Sequence, residues 1–353
     1  MPSHIAHTLC AEDTLRYTDR NRNLVSTEHA GWLAIGAQGP DIFYHNQRRR
    51  PTGIQYGTLM HRHGYGSTVA NMVRDAVTDG QPPESPAGTF IAAFITHAIL
   101  DRILHPYINY RAGWVVTGDA STKRYRSMHP FLERLIDVAL LRHLRGQSTN
   151  DFDFAGRLQG IRSTDEWQRL VRAGLTGCYE RARLDTRLAE RLENAWNDAI
   201  GFYEFTNHVD AAYLSEGMKR ERRSASQRSL LSVVHPPNVP DDLDILNLQR
   251  REWTHPCSSK RTSTASVVDM YEEAVRTGSA VVRRVFAVWN TMSRDGAAQE
   301  QLDEIAVVVG DYNLSDGRPR KRPCRRRHMD PFPLPELQER IRESIRRGDG
   351  GVV

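Results

Sequence analysis

The stretch "TFIAAFITHAILDRILHPYI", residues 89–108, limits the fold more than any other part of the chain. It is apolar at three- and four-residue spacing, yet it carries His97, Asp101 and His105 at i, i+4 and i+8. On an α-helix each step of four residues turns about 400°, so these side chains form one stripe that drifts roughly 40° and rises about 6 Å per step. Ile95, Ala98, Ile99, Ile103 and Leu104 surround the stripe and would bury it. Three buried titratable groups without partners are costly, so the rest of the fold must bring them a metal ion or one another.

Helical spacing recurs in "HPFLERLIDVALLRHL" and "SVVDMYEEAVRTGSAVVRRVFAVW", and no stretch alternates as a strand, so the expected fold class is all-α, a multi-helix bundle. Helix starts are expected at Ser85-Pro86, Ser163-Thr164-Asp165 and Ser263-Thr264. The prolines and acidic residues of "SVVHPPNVPDDLDILNLQ" interrupt the pattern. Three regions follow: a helical metal-binding catalytic domain over 1–213, a helical extension over 214–310, and a basic, proline-containing tail over 311–353 with a short amphipathic helix, "LPELQERIRESIRR".

The net charge of +5 over 353 residues suggests a nucleic-acid or membrane-surface protein until the charge is located. Much of it sits in "GRPRKRPCRRRH", where Arg318, Arg320, Lys321, Arg322, Arg325, Arg326 and Arg327 are crowded together. Such a run is usually a solvated tail, although it offers membrane or nucleic-acid phosphates a non-specific contact. Cys10, Cys178, Cys257 and Cys324 are widely separated, which argues against a disulfide framework and a thiolate zinc knuckle and points to a reducing compartment. Cys10 reads as a small buried hydrophobe. The N-terminal residues lack a secretory pattern and "FIAAFITHAIL" is too short to span a bilayer, so the expected location is cytoplasmic, with no transmembrane segment.

A second element repeats the stripe. "HPFLERLID" sets His129 and Glu133 at i and i+4, with Asp137 one turn on in the supporting position of a residue that orients a ligand. Two helices with facing histidine and carboxylate ligands are how helical bundles build multinuclear centres. "GAQGPD" adds Asp41, "LMHRHG" adds His61 and His63, and "SHIAH" adds His4 and His7. A lone His-x-x-x-Asp pair on a helix is usually an ion pair; the triple is more specific. His45, His63, His208, His235 and His255 read as surface or structural histidines.

The ordered series "SHIAH", "GAQGPDIFYH", "LMH", "THAILDRILHPYI" and "HPFLE" resembles the zinc-dependent phospholipase C family, which shares its fold with the zinc-dependent single-strand nucleases. The resemblance covers about residues 1–145 and continues more loosely through "NLQRREWTHP" and "SVVDMYEEAV", which look like intracellular bacterial relatives. It implies an all-helical enzyme with three zinc ions. Asp41, His61, His97 and Asp101 would hold the first, His105, His129 and Glu133 the second, and His7 the third with Asp101 bridging. In the family the third ion also takes the amine and carbonyl of a terminal tryptophan. This chain has none there, so the implied replacement is Pro2 after loss of Met1, with His4 as the rival ligand and a two-zinc enzyme as the outcome if that site is lost.

The chemistry implied is phosphodiester hydrolysis on an anionic substrate, with Asp41 to orient or deprotonate the nucleophile if its second oxygen is free. The first reading is a phospholipase C acting on lipid headgroups, with Phe43, Tyr44, Tyr56, Tyr65 and Tyr107 near the motifs as candidate headgroup aromatics or simply core. The alternatives are a single-strand nuclease or nucleotidase, for which "NQRRRP" and "STKRYRS" supply arginines, and a non-catalytic helical protein with a structural metal. A His-Asp phosphohydrolase ranks low, because no adjacent His-Asp pair occurs.

Overall fold

A computed structural model describes residues 4–18, 24–159, 161, 164–207, 230–319 and 324–348. Its helices are α1 (His4–Thr18), α2 (Ala30–Ala37), α3 (Ile42–His45), α4 (Ile54–Arg62), α5 (Tyr65–Thr78), α6 (Pro86–Ala112) and α7 (Met128–Arg145), followed by α8 (Phe154–Leu158), α9 (Asp165–Cys178), α10 (Glu180–Arg183), α11 (Leu188–Asn207), α12 (Val267–Trp289), α13 (Gln299–Val309) and α14 (Leu334–Arg347). The all-α class holds. The strands described are two short antiparallel pairs, β1 (Trp253–Thr254) with β2 (Thr262–Ser263) and β3 (Tyr312–Asn313) with β4 (Arg318–Pro319).

The constraining stretch lies in α6, the central helix, packed by α1, α2, α5, α7 and α12. Ser85 caps its start, accepting from the Gly88 amide with Pro86 in the first turn, and Gly113 ends it at a φ of +68°. By length and composition α6 could cross a bilayer, but 89% of its most apolar window is buried inside the protein, the pattern of a core helix. Phe90, Phe94, Ile95 and Ile99 are buried along it; burying each such side chain stabilises the fold by roughly 1.5–3 kcal/mol over exposure.

Pro106 inside α6 frees the carbonyl four residues earlier, on Arg102. Gly317, at a φ of +65° in the β3–β4 turn, lies against that oxygen, where a Cβ would clash. The proline thus creates the seat on which a distant hairpin docks beside His105.

The region expected as an extension contributes α12, whose apolar face lies on α1 and α6. Gly278 meets Thr14 closely and Ser279 bonds Thr18, so small residues set the approach of α12 to α1. Its start differs from the expected one. Ser266 forms a capping box with Asp269, while Ser263 pairs with Trp253 in the β1–β2 ladder. Ser163 lies outside the described residues; α9 begins at Asp165.

Two further expectations are corrected. Cys257 and Cys324 are disulfide-bonded, with Cα atoms 5.3 Å apart, because the backbone of 324–328 is laid on Pro256, which accepts from the amides of Arg327 and His328. The basic stretch is therefore no free tail where it is described: Arg325–Arg327 are exposed, but their backbone is anchored. Cys10 is free and fully buried, as expected of a small hydrophobe, and burial pushes its thiol up to about 12.

Candidate metal centre

Four elements deliver side chains to one point. The first turns of α1 bring His7, a short 3₁₀ turn over Gly39–Asp41 brings Asp41, the end of α4 brings His61, and the middle of α6 brings His97 and Asp101. The turn must be glycine at Gly39: its φ is +53°, and a Cβ would stand 2.5 Å from the His97 ring. On the other side of Asp101, α6 brings His105 and α7 brings His129 and Glu133. All are buried except His129, whose side chain is 27% exposed.

The distances are short and shared. His61 Nε2 is 3.1 Å from Asp41 Oδ1 and 3.7 Å from Asp101 Oδ2, and His97 Nε2 is 3.5 Å from Asp41 Oδ2 and 3.3 Å from Asp101 Oδ2. His7 Nε2 lies 3.2 Å and His105 Nε2 3.6 Å from the other oxygen, Asp101 Oδ1. Glu133 Oε1 is 3.0 Å from His129 Nε2 and 3.2 Å from His105 Nε2. Asp101 thus stands among four imidazoles. The groups His7-His97-Asp101, Asp41-His61-His97 and His105-His129-Glu133 could each hold a metal ion.

The ring tautomers say what belongs between these atoms. Nδ1 of His61 faces the Gly57 carbonyl at 2.8 Å, Nδ1 of His97 the Ala37 carbonyl at 3.0 Å, and Nδ1 of His105 the Leu314 carbonyl at 2.7 Å. A carbonyl only accepts, so each Nδ1 carries the hydrogen and Nε2 of each ring is turned onto a carboxylate oxygen, a lone pair wherever the ring is neutral. Lone pair against lone pair is repulsive. Protonating every ring is no remedy, since five imidazolium ions would be buried against three carboxylates. A bound cation resolves both problems, and ligand atoms 2.0–2.1 Å from a tetrahedral zinc lie roughly 3.3 Å apart, close to the separations found here. His97 Nε2, Asp101 Oδ2 and Glu133 Oε2 are buried and hydrogen-bonded to nothing.

Burial opposes charge on the carboxylates, but the neighbouring imidazoles outweigh it: His97 and His61 hold Asp41 below its ordinary value, His105 and His97 hold Asp101 well below, and His129 does the same for Glu133. For His105, burial is outweighed by Asp101 and Glu133, and the ring is raised to about 9. Asp41 Oδ1 faces His61 Nε2, and Oδ2 lies 3.5 Å from His97 Nε2.

The N-terminal residues divide. Pro2 lies outside the described residues, as does His208. His4 points away from the centre, with Nδ1 accepting from the Arg134 guanidinium at 2.9 Å, so it is a strut where a rival ligand was expected. Asp137 accepts from the backbone amides of Ala6 at 2.7 Å and Ile5 at 3.3 Å, and His235 Nε2 lies 2.8 Å from it. His4, Asp137 and His235 are close enough to hold an ion, but buried Arg134 already supplies the cation. Asp137 pins the first turn of α1, the turn that carries His7. His235 and Arg134 were not legible as site residues, because their partners are about a hundred positions or more away in sequence.

His63 neighbours the ring of Tyr179, and His255 is buried beside Asp316 and Cys257. His45 is buried, stacked 3.9 Å from Phe202, with neither ring nitrogen hydrogen-bonded, and burial pushes it down to about 3. A histidine that binds its proton at 6.5 when unfolded and about 3 when folded makes the unfolded chain the better proton binder between those values. Its contribution is intact above pH 6.5 and shrinks as pH falls, by about 2 kcal/mol at pH 5. His45→Phe keeps the stacking and removes the proton. Denaturant melts at pH 7 and pH 5 should show the variant losing about 2 kcal/mol less stability than the parent chain; equal losses would exclude His45 as an acid-labile group.

The centre opens to solvent. Asp41, His61, His105, His129 and Glu133 line one side of a cavity of about 480 Å³, within the range of small-ligand sites. Tyr44, Trp114, Tyr125, Arg126 and Arg326 form much of its rim. No protein-family model matches the chain, and no curated protein or solved structure matches it.

Proposed function

We propose that this chain is a zinc-dependent phosphodiester hydrolase of the phospholipase C and single-strand nuclease type, with lipid headgroup diesters as the first substrate class. The observation that carries the reading is the set of three histidines, each fixed through Nδ1 by a carbonyl and turned with Nε2 onto a carboxylate. Asp41, His61, His97 and Asp101 would hold one ion, His105, His129 and Glu133 a second, and His7 with Asp101 a third. Zinc held there supplies Lewis-acid chemistry, acidifying water and offsetting charge on a phosphoryl group.

The residues do the rest. Asp101 and Asp41 keep the first and third sets in register, and Asp137 holds the first turn of α1 so that His7 reaches Asp101. Glu133 lines the cavity and its buried Oε2 has no hydrogen bond, so this carboxylate would supply an acceptor beside an incoming water. In the overall reaction the water oxygen forms a bond to phosphorus, the bond to the leaving oxygen breaks, and that oxygen takes up a proton. A structural metal site is closed by protein ligands, whereas Asp41, His61, His105, His129 and Glu133 line an open cavity, which favours catalysis. Aromatic residues beside arginines on the rim favour the nuclease as the second reading.

The test is elemental analysis of protein purified without chelator, with hydrolysis of bis(p-nitrophenyl) phosphate measured on the same sample. Two to three zinc ions per chain and measurable hydrolysis are expected. A chain that neither retains zinc nor takes it up on addition sinks the proposal.

A further inference from the structure

The described residues of the basic stretch include one arginine whose position the hydrolase reading leaves unused. Arg326 lines the same cavity as His105, His129 and Glu133, although it is far from them in sequence. Its place is built by backbone: Cys324 is bonded to Cys257, Arg327 and His328 donate to Pro256 at 2.8 and 3.2 Å, Asp330 donates to Tyr110 at 3.0 Å, and Phe332 donates to Arg111 at 2.8 Å. The last two anchors sit on α6, the helix that carries His105. Arg326 is thus held over the centre by the same element that positions the ligands.

Within the fold its charge is felt by Asp316, which lies outside the cavity lining. Its guanidinium forms no ion pair with a described residue, and the carboxylates in the cavity lining, Asp41 and Glu133, belong to the ligand sets. Arg126, on the same rim, adds a second guanidinium beside Tyr125 and Trp114. Two cations facing a cavity whose acids are committed elsewhere repel one another and any cationic group that enters, and they attract an anion. The planar guanidinium, with its fork of donors, suits phosphate oxygens.

We propose that Arg326, with Arg126, forms an anion subsite at the mouth of the metal centre, so that the substrate is a phosphodiester bearing a second phosphate group. This rests on the hydrolase reading and narrows it. A choline-type headgroup would bring a cation against two guanidinium groups and is disfavoured. A phosphomonoester joined to the diester, as in a nucleotide or an inositol phosphate, places negative charge where the arginines are.

Two matched pairs of soluble diesters test it: dithymidine monophosphate with and without a 5′-phosphate, and glycerophosphoinositol with and without a 4-phosphate. In the parent chain the extra phosphate should raise kcat/KM roughly tenfold or more in one pair, the gain expected of a charge-assisted hydrogen bond, and the pair that responds identifies the source. In Arg326→Gln that ratio should fall to about one. No preference in either pair, or a preference that survives in the variant, overturns the subsite. If no diester is cleaved the hydrolase reading fails, and the subsite is then read by calorimetry. Thymidine 3′,5′-bisphosphate should bind the zinc-treated parent chain roughly tenfold tighter than thymidine 5′-monophosphate, an advantage lost in Arg326→Gln. Equal ratios in the two proteins overturn it independently of catalysis. Arg326 is exposed, so the variant is expected to fold, and its melting curve checks this.

Discussion

Asp101→Asn is expected to strip bound zinc from the chain and to lower kcat/KM for diester hydrolysis by about 10³-fold or more, roughly 4 kcal/mol of transition-state stabilisation. The size follows from its position. One oxygen faces His7 and His105, the other His61 and His97, so a single carboxylate serves both sides of the centre. Asparagine keeps the volume and removes the charge. It also brings an NH₂ group that can donate to a bare imidazole Nε2, easing in the metal-free protein the clash of lone pairs that a cation otherwise relieves. The variant should therefore fold and melt as a cooperative unit while failing to hold metal, and that combination separates loss of the centre from loss of the fold. Zinc content and activity near those of the parent chain would remove Asp101 from the site.

That stripe was legible because it is local. His97, Asp101 and His105 follow from a period of 3.6 on one helix, as do His129 and Glu133 on the next, and the same periodicity marked α6, α7 and α12. What was not legible is what joins elements distant in sequence. The carbonyl that fixes the His105 tautomer belongs to Leu314, 209 positions away, and reaches it because Pro106 and Gly317 let a hairpin sit on α6. Asp137 reads as a ligand-orienting carboxylate from its place one turn after Glu133; in the fold it accepts from the α1 amides of Ile5 and Ala6, a contact no spacing rule contains. The start of α12 was misplaced because Ser263-Thr264 is as good a local cap as Ser266, and only pairing with β1 takes Ser263 away. Cys257 and Cys324 carry no spacing signal either, being joined by the path of the chain across Pro256.

Removal of zinc should destabilise the whole molecule. The candidate ligands are contributed by α1, the Asp41 turn, α4, α6 and α7, so metal bound on the proposed reading would cross-link helices beyond their apolar packing and contacts such as Asp137 to the α1 amides. Without cations, four buried imidazoles, half-buried His129 and three buried carboxylates are left with mismatched lone pairs or as incompletely neutralised ions. A set held in free zinc at a thousand times its Kd stabilises the folded state by about 4 kcal/mol, so two occupied sets are worth about 8 kcal/mol. At roughly 2 °C per kcal/mol for a large domain, chelation should lower Tm by about 15 °C. Release should come in two stages, since His129 is partly exposed on the cavity wall whereas His97 is fully buried behind it. A chromogenic chelator should record a fast phase from His105, His129 and Glu133 and a slow phase from the set around His97. His129→Ala should abolish the fast phase and leave the slow one, along with about half of the difference in Tm. A melting curve unmoved by chelator, or a single phase in both proteins, would mean that these clusters are held together by protons instead of metal.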